Sequence, residues 1–104
     1  MAQISVAVER SVREFLAAVG KERRITAAYL YGSEVRGQAG PWSDIDVAVI
    51  SPDFGDDLFA AQLDLMLLAA RLDDRIEPRA FTPESFHINN PLASEIQSTG
   101  IRIL

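Results

Sequence analysis

There is no cysteine anywhere in the chain. That excludes a disulfide framework and a thiolate-held metal, so any metal bound here must be held by oxygen, and the compartment is not fixed by redox chemistry. Histidine occurs once, at His87, and lysine once, at Lys21. With no second imidazole beside it, His87 reads as a surface or helix-packing residue. Cationic side chains are outnumbered, 10 Lys and Arg against 15 Asp and Glu, for a formal net charge of −5. Tracking a nucleic-acid backbone takes clustered basic residues, so no direct nucleic-acid binding is expected. A nucleotide can still bind an acidic protein where divalent cations bridge carboxylates to phosphate oxygens. Long apolar runs are also missing. None reaches the roughly 18 residues that span a bilayer, and the N-terminal residues lack a basic segment followed by an apolar core. The chain therefore reads as soluble and cytoplasmic, with no membrane partner.

What is present is enough for one core. At 104 residues and 48% hydrophobic content the chain is expected to form a single domain, residues 1–104, with no repeat, linker or low-complexity segment. Val8, Val12, Phe15, Leu16 and Val19 recur at helical spacing among charged residues, which predicts a helix over 5–19, capped by Ser5 and ended by Gly20. Residues 25–31 are short, β-branched and aromatic and stop at Gly32, so they predict a first strand. A short helix or turn is expected over 33–38, then a loop at Gly40-Pro41, then a second strand over 44–50. Residues 57–72 make the strongest helix, apolar on nearly every side, with Leu58, Leu65 and Leu72 on one of them. Such a helix is expected to be buried on most sides, one of which could face a partner or form a homo-oligomer.

The remaining third is strand and helix again. Residues 75–81 alternate and predict a third strand, at an edge or near its own end because Pro78 lacks a ladder donor. Thr82-Pro83-Glu84-Ser85 has the form of a helix start. A last helix is expected from about Pro91 to Thr99, ending at Gly100, with the apolar tail Ile101–Leu104 docking on the body. Together these predict an α/β fold, a small mixed sheet of three or four strands with helices packed mainly on one side.

Chemistry concentrates between Ala28 and Ile50. Asp44 and Asp46 leave the same face of the second strand, and two carboxylates so close repel unless something positive lies between them; hard oxygen ligands suit Mg²⁺ or Mn²⁺. Alone, Asp44-x-Asp46 equally fits a turn followed by a solvated strand residue, and Gly32-Ser33 alone is an ordinary turn. Jointly they set a phosphate cradle and a metal-binding pair at neighbouring strand ends, provided the two strands pair. A third carboxylate, Glu77, lies on the third strand, where it reads either as a further ligand or as an exposed edge charge. Arg79 shares its face and would neutralise it or contact phosphate. Trp42 reads as a rim aromatic before it reads as a base-stacking group, Tyr29 and Tyr31 as core and sheet-face groups, and Arg10, Arg13, Arg23 and Arg24 as a solvated face.

Gly32-Ser33, ten intervening residues, then Asp44-x-Asp46, with Arg36-Gly37 inside the gap and Ser43 just before the first Asp, resembles the minimal nucleotidyltransferases of the DNA polymerase β superfamily. The small size, the Ile76-Glu77-Pro78 strand and the segment from Asn90-Pro91-Leu92 to Gly100-Ile101 look like the MNT type, and the likeness spans nearly the whole chain. The resemblance implies a polymerase β-like nucleotidyltransferase fold and transfer of AMP from ATP to a hydroxyl, a tyrosine of a HEPN-domain toxin, with this chain as the antitoxin. It implies Asp44, Asp46 and Glu77 as catalytic metal ligands for two Mg²⁺, and Gly32, Ser33, Arg36 and Ser43 as nucleotide-binding residues. Glu77 would also take the acceptor's proton. Two other functions stay open on the sequence: an antitoxin that works by contact alone, and nucleotidyl transfer to a small molecule.

Overall fold

The computed structural model describes residues 4–32 and 44–104. Helix α1, Val6–Gly20, starts where the Ser5 side chain accepts from the Val8 amide, and it buries the whole expected stripe of Val8, Val12, Phe15, Leu16 and Val19. Each such side chain contributes about 1.5–3 kcal/mol on burial. Strand β1 spans Ala27–Tyr31 and β2 spans Ile45–Ile50. A short 3-10 turn, Pro52–Phe54, leads to α2, Leu58–Leu72, capped by Asp57. Strand β3, Ile76–Phe81, is followed by α3, Pro91–Thr99, and by the two-residue β4, Ile101–Arg102.

Among the described residues these strands form one four-stranded sheet in the order β3-β2-β1-β4. β1 is antiparallel to β2 and β4, and β2 is parallel to β3, so the sheet is mixed. β2 is central, and each of its residues except Asp46 is buried. One face carries Leu30, Ile45, Val47, Val49, Ile76 and Ala80 against α1 and α2. The other carries Ala48, Ile50 and Phe81 against Ala93 and Ile96 of α3. The two long helices thus lie on one side and the short one on the other. No helix among the described residues is long and apolar enough to cross a membrane.

β3 is an edge strand, the first of the two places its proline allowed. Its outward row of polar groups is covered by one side chain: Gln62 of α2 donates from Nε2 to the Pro78 carbonyl at 2.7 Å and accepts from the Ala80 amide at Oε1, also at 2.7 Å. The amide of Gln62 stands where a neighbouring strand would otherwise pair. On the opposite edge the tail does dock, with the Ala28 amide donating to the Leu104 carbonyl at 3.1 Å.

Two expectations are corrected. Helix α2 is not buried on most sides: Ala61, Leu65 and Ala69 face the core, while Leu58 and Leu72 are exposed together with Phe59, Leu63, Met66 and Leu67. One sheet face offers one contact stripe, and the second long helix beside it, α1, takes the remaining area. The helix start at Thr82 closes one turn only. Thr82 Oγ1 accepts from the Ser85 amide and Ser85 Oγ from the Thr82 amide, at 3.0 and 2.8 Å. Phe86 then turns inward, its ring 5.0 Å from Phe81 and 5.3 Å from Tyr29, and that packing draws the chain off the helical path.

Candidate active site

Strand register brings the site together. Tyr31 on β1 is directly opposite Asp46 on β2, and Asp46 is directly opposite Glu77 on β3. Because directly paired residues in a sheet share a face, these three form a row on the side away from α1 and α2. Asp44 lies one residue before β2 at the same end, exposed to solvent; Asp46 is half-buried and Glu77 exposed. The pairing of residues 25–31 with 44–50 that the site needs is therefore present.

Gly32 follows the row immediately. It adopts φ +80°, left-handed backbone that favours glycine, and a Cβ added there would run into the Asp46 carboxylate. The missing side chain is what lets the carboxylate lie against the turn after β1. Ser33, Arg36 and Ser43, expected at the nucleotide, lie outside the described residues, as does Trp42.

The electrostatics show how close the acids are. The negative charge of Asp44 beside Glu77 raises the Glu77 carboxyl above its ordinary range, helped by partial desolvation, a hydrogen bond shared with Asp44 and the charge of Asp46. Arg79, two residues along β3 on the same face, opposes the shift. Arg79 also donates to the Tyr31 hydroxyl. Tyr31 is nonetheless raised, chiefly by burial and then by the charge of Asp46. Tyr31 is on the sheet face, as expected, but its place in the row beside Asp46 was not read from the sequence. The signal was its position, immediately before the site glycine on the alternating face of residues 27, 29 and 31.

Carboxylate oxygens are the donor type that suits a hard divalent cation. Asp46 and Glu77 pair across adjacent strands with Asp44 just before β2, and their repulsion marks a deficit of positive charge at that end of the sheet. Among the described residues no group of three or more His, Cys, Asp or Glu is placed so that it could hold a metal ion as it stands. A cleft of about 610 Å³ between α2 and β3 opens beside Glu77 and Arg79, walled by Phe59, Met66 and Pro78. His87 is exposed and stands apart, accepting at Nδ1 from the Asn89 amide.

The family model of the nucleotidyltransferase domain matches residues 12–99, which takes in Gly32, Asp44, Asp46 and Glu77. The chain belongs to the nucleotidyltransferase domain family. This nucleotidyltransferase resembles a toxin–antitoxin structure determined with AMP-PNP, at 25% identity and a TM-score of 0.63, over 90% of this chain and 70% of that one. It shares its fold with a mutant of the toxin–antitoxin MntA–HpeT, at 24% identity and a TM-score of 0.62, over 98% of this chain and 73% of that one. It also shares the fold of a nucleotidyltransferase structure from Sulfolobus solfataricus, at 16% identity and a TM-score of 0.60, over 95% and 79% of the two chains. These neighbours carry the fold described above. No curated protein matches the nucleotidyltransferase at a significant level.

Proposed function

We propose that the nucleotidyltransferase transfers AMP from ATP to a hydroxyl, a tyrosine side chain, of a HEPN-domain toxin, and so acts as that toxin's antitoxin in the cytoplasm. The observation that carries the reading is the convergence of Asp44, Asp46 and Glu77 on one end of one sheet face, with Gly32 bare against Asp46. The likeness to a toxin–antitoxin pair determined with AMP-PNP supports the partner and the nucleotide.

In this reading Asp44, Asp46 and Glu77 hold two Mg²⁺, which Mn²⁺ can replace, and Gly32, Ser33, Arg36 and Ser43 hold the phosphates. When bound, the cations stabilise charge on the attacking and departing oxygens. Glu77, at the edge of the row, accepts the proton of the acceptor hydroxyl. The acceptor oxygen bonds to the α-phosphorus as the bond to the β-phosphate oxygen breaks, and pyrophosphate leaves. Arg79, held by its hydrogen bond to Tyr31, offsets phosphate charge beside the row.

Incubating the purified chain with its cognate toxin, ATP and Mg²⁺ and weighing the toxin by intact mass tests this. We expect one or more added AMP units, abolished by chelation and by Asp44→Asn with Asp46→Asn, and slowed by about 10²–10⁴-fold in Glu77→Gln. An unmodified but neutralised toxin would make the protein an antitoxin that acts by contact, and ATP consumption with a small acceptor and no modified protein would move the transfer to small molecules.

A further inference from the structure

Helix α2 carries a second apolar stripe that the fold leaves uncovered. Phe59, Leu63, Met66, Leu67 and Ala70 fall at i, i+4, i+7, i+8 and i+11, all exposed, Phe59 to 75% and Leu67 to 66%. The buried stripe of α1, Val8, Val12, Phe15, Leu16 and Val19, has the same spacing. A pattern that makes a core contact in one helix faces solvent in the other, so it calls for a packed helix.

We infer that α2 packs antiparallel against α2 of a second copy of this chain, forming a two-fold dimer. The stripe is complementary to itself in that arrangement. Reversing one helix about a centre between Asp64 and Leu65 sets bulky Phe59 of each copy over small Ala70 of the other, and Leu63 over Met66. Charge agrees with shape. Arg71, exposed and without an ion pair among the described residues, comes beside Asp56 and Asp57 of the other copy, and symmetry repeats the contact at the far end. The acid on the same flank nearest the two-fold, Asp64, is already paired with Arg23 of its own chain at 2.8 Å, which relieves its approach to its own symmetry mate. An isologous interface demands this kind of self-matching. Since α2 and the carboxylate row occupy opposite faces of the sheet, the dimer leaves both active sites open. The inference is independent of which acceptor the enzyme modifies.

The absence of cysteine makes the test direct. In the full chain carrying Phe59→Cys and Ala70→Cys, the thiol at 59 of one copy meets that at 70 of the other. Within one copy the two are about 16 Å apart along the helix, too far to bridge. We expect mild oxidation to give a stoichiometric covalent dimer, which the Phe59→Cys single variant does not form. Light scattering of the unmodified chain at about 100 µM should give twice 11.4 kDa, and Leu63→Asp should return it to 11.4 kDa with an unchanged circular dichroism spectrum. Arg71→Asp should weaken the dimer at least tenfold, and adding Asp56→Arg should restore it. A monomer at that concentration without the cross-link would overturn the inference. So would a complex in which Leu63→Asp releases the toxin while the chain alone is monomeric, since α2 would then be covered by the partner.

Discussion

Asp73 closes α2 and is held by several donors. Its carboxylate accepts from Arg75 through the backbone amide, Nε and Nη2, at 3.0, 3.1 and 2.9 Å, and also from Ser11 of α1. The Arg75 hydrogen bonds bring its pKa down from 3.8 to about 2. Because the folded value is depressed, the stabilisation is complete above about pH 4 and fades as the pH falls through about 2. After allowance for solvent screening it is worth roughly 1–2 kcal/mol. Asp73→Asn should therefore lose that much in urea unfolding at neutral pH, with the gap to the unmodified chain closing towards pH 2. A gap that stayed constant across the range would assign the role of Asp73 to shape alone. At the same scale, Gly32 and Asp44-x-Asp46 could be read from sequence because each residue type has a conformational or charge consequence of its own. Arg79 could be read too, from the alternation that sets it on the face of Glu77, whereas the contact of Tyr31 with Asp46 and the edge contact of Gln62 could not, because they depend on which residue lies opposite.

Among the elements, β3 was the most legible. Alternation set its two faces, and Pro78 placed it at an edge. The stopper on that edge was invisible, since Gln62 lies on a helix 16 residues away in sequence and reads there as an ordinary helix former. Gln62→Leu keeps helix propensity and size but leaves the Pro78 carbonyl and the Ala80 amide without their partner. We expect a loss of about 1–3 kcal/mol and faster aggregation on storage, read by chemical denaturation and by turbidity. Unchanged values in both would mean that water serves that edge equally well. The overreading at Thr82–Ser85 has a parallel cause: the hydrogen-bonded start is local and does form, whereas the inward turn of Phe86 answers to Tyr29 and Phe81, on two other strands. The all-round apolar character of α2 was also visible, but helical periodicity alone does not say how many of its sides the rest of the chain can cover.

For the molecule as a whole, the sheet divides the interior into two unequal clusters. The larger joins α1 and α2 to the sheet through sixteen buried residues, while the smaller seats α3 through only Ala93 and Ile96. Opening free energies follow how much apolar surface each unit buries. In native-state hydrogen exchange the amides of β2 should be the slowest and those of α3 should exchange well before α1. Equal protection of α3 and α1 would show that the two clusters unfold as one. Asp46 and Glu77 are rooted in the sheet, on the face that the smaller cluster and α3 share.

Asp46 is the second residue of a strand bonded on both sides, and Asp44 precedes that strand by one residue. The two acids that look interchangeable in sequence are thus mechanically different, one a fixed jaw and the other a sliding one. In the proposed reading Asp46, backed by Gly32, would set where a cation sits and Asp44 would adjust to it, so tolerance for cations of different radius would reside in the residue that lies outside the sheet.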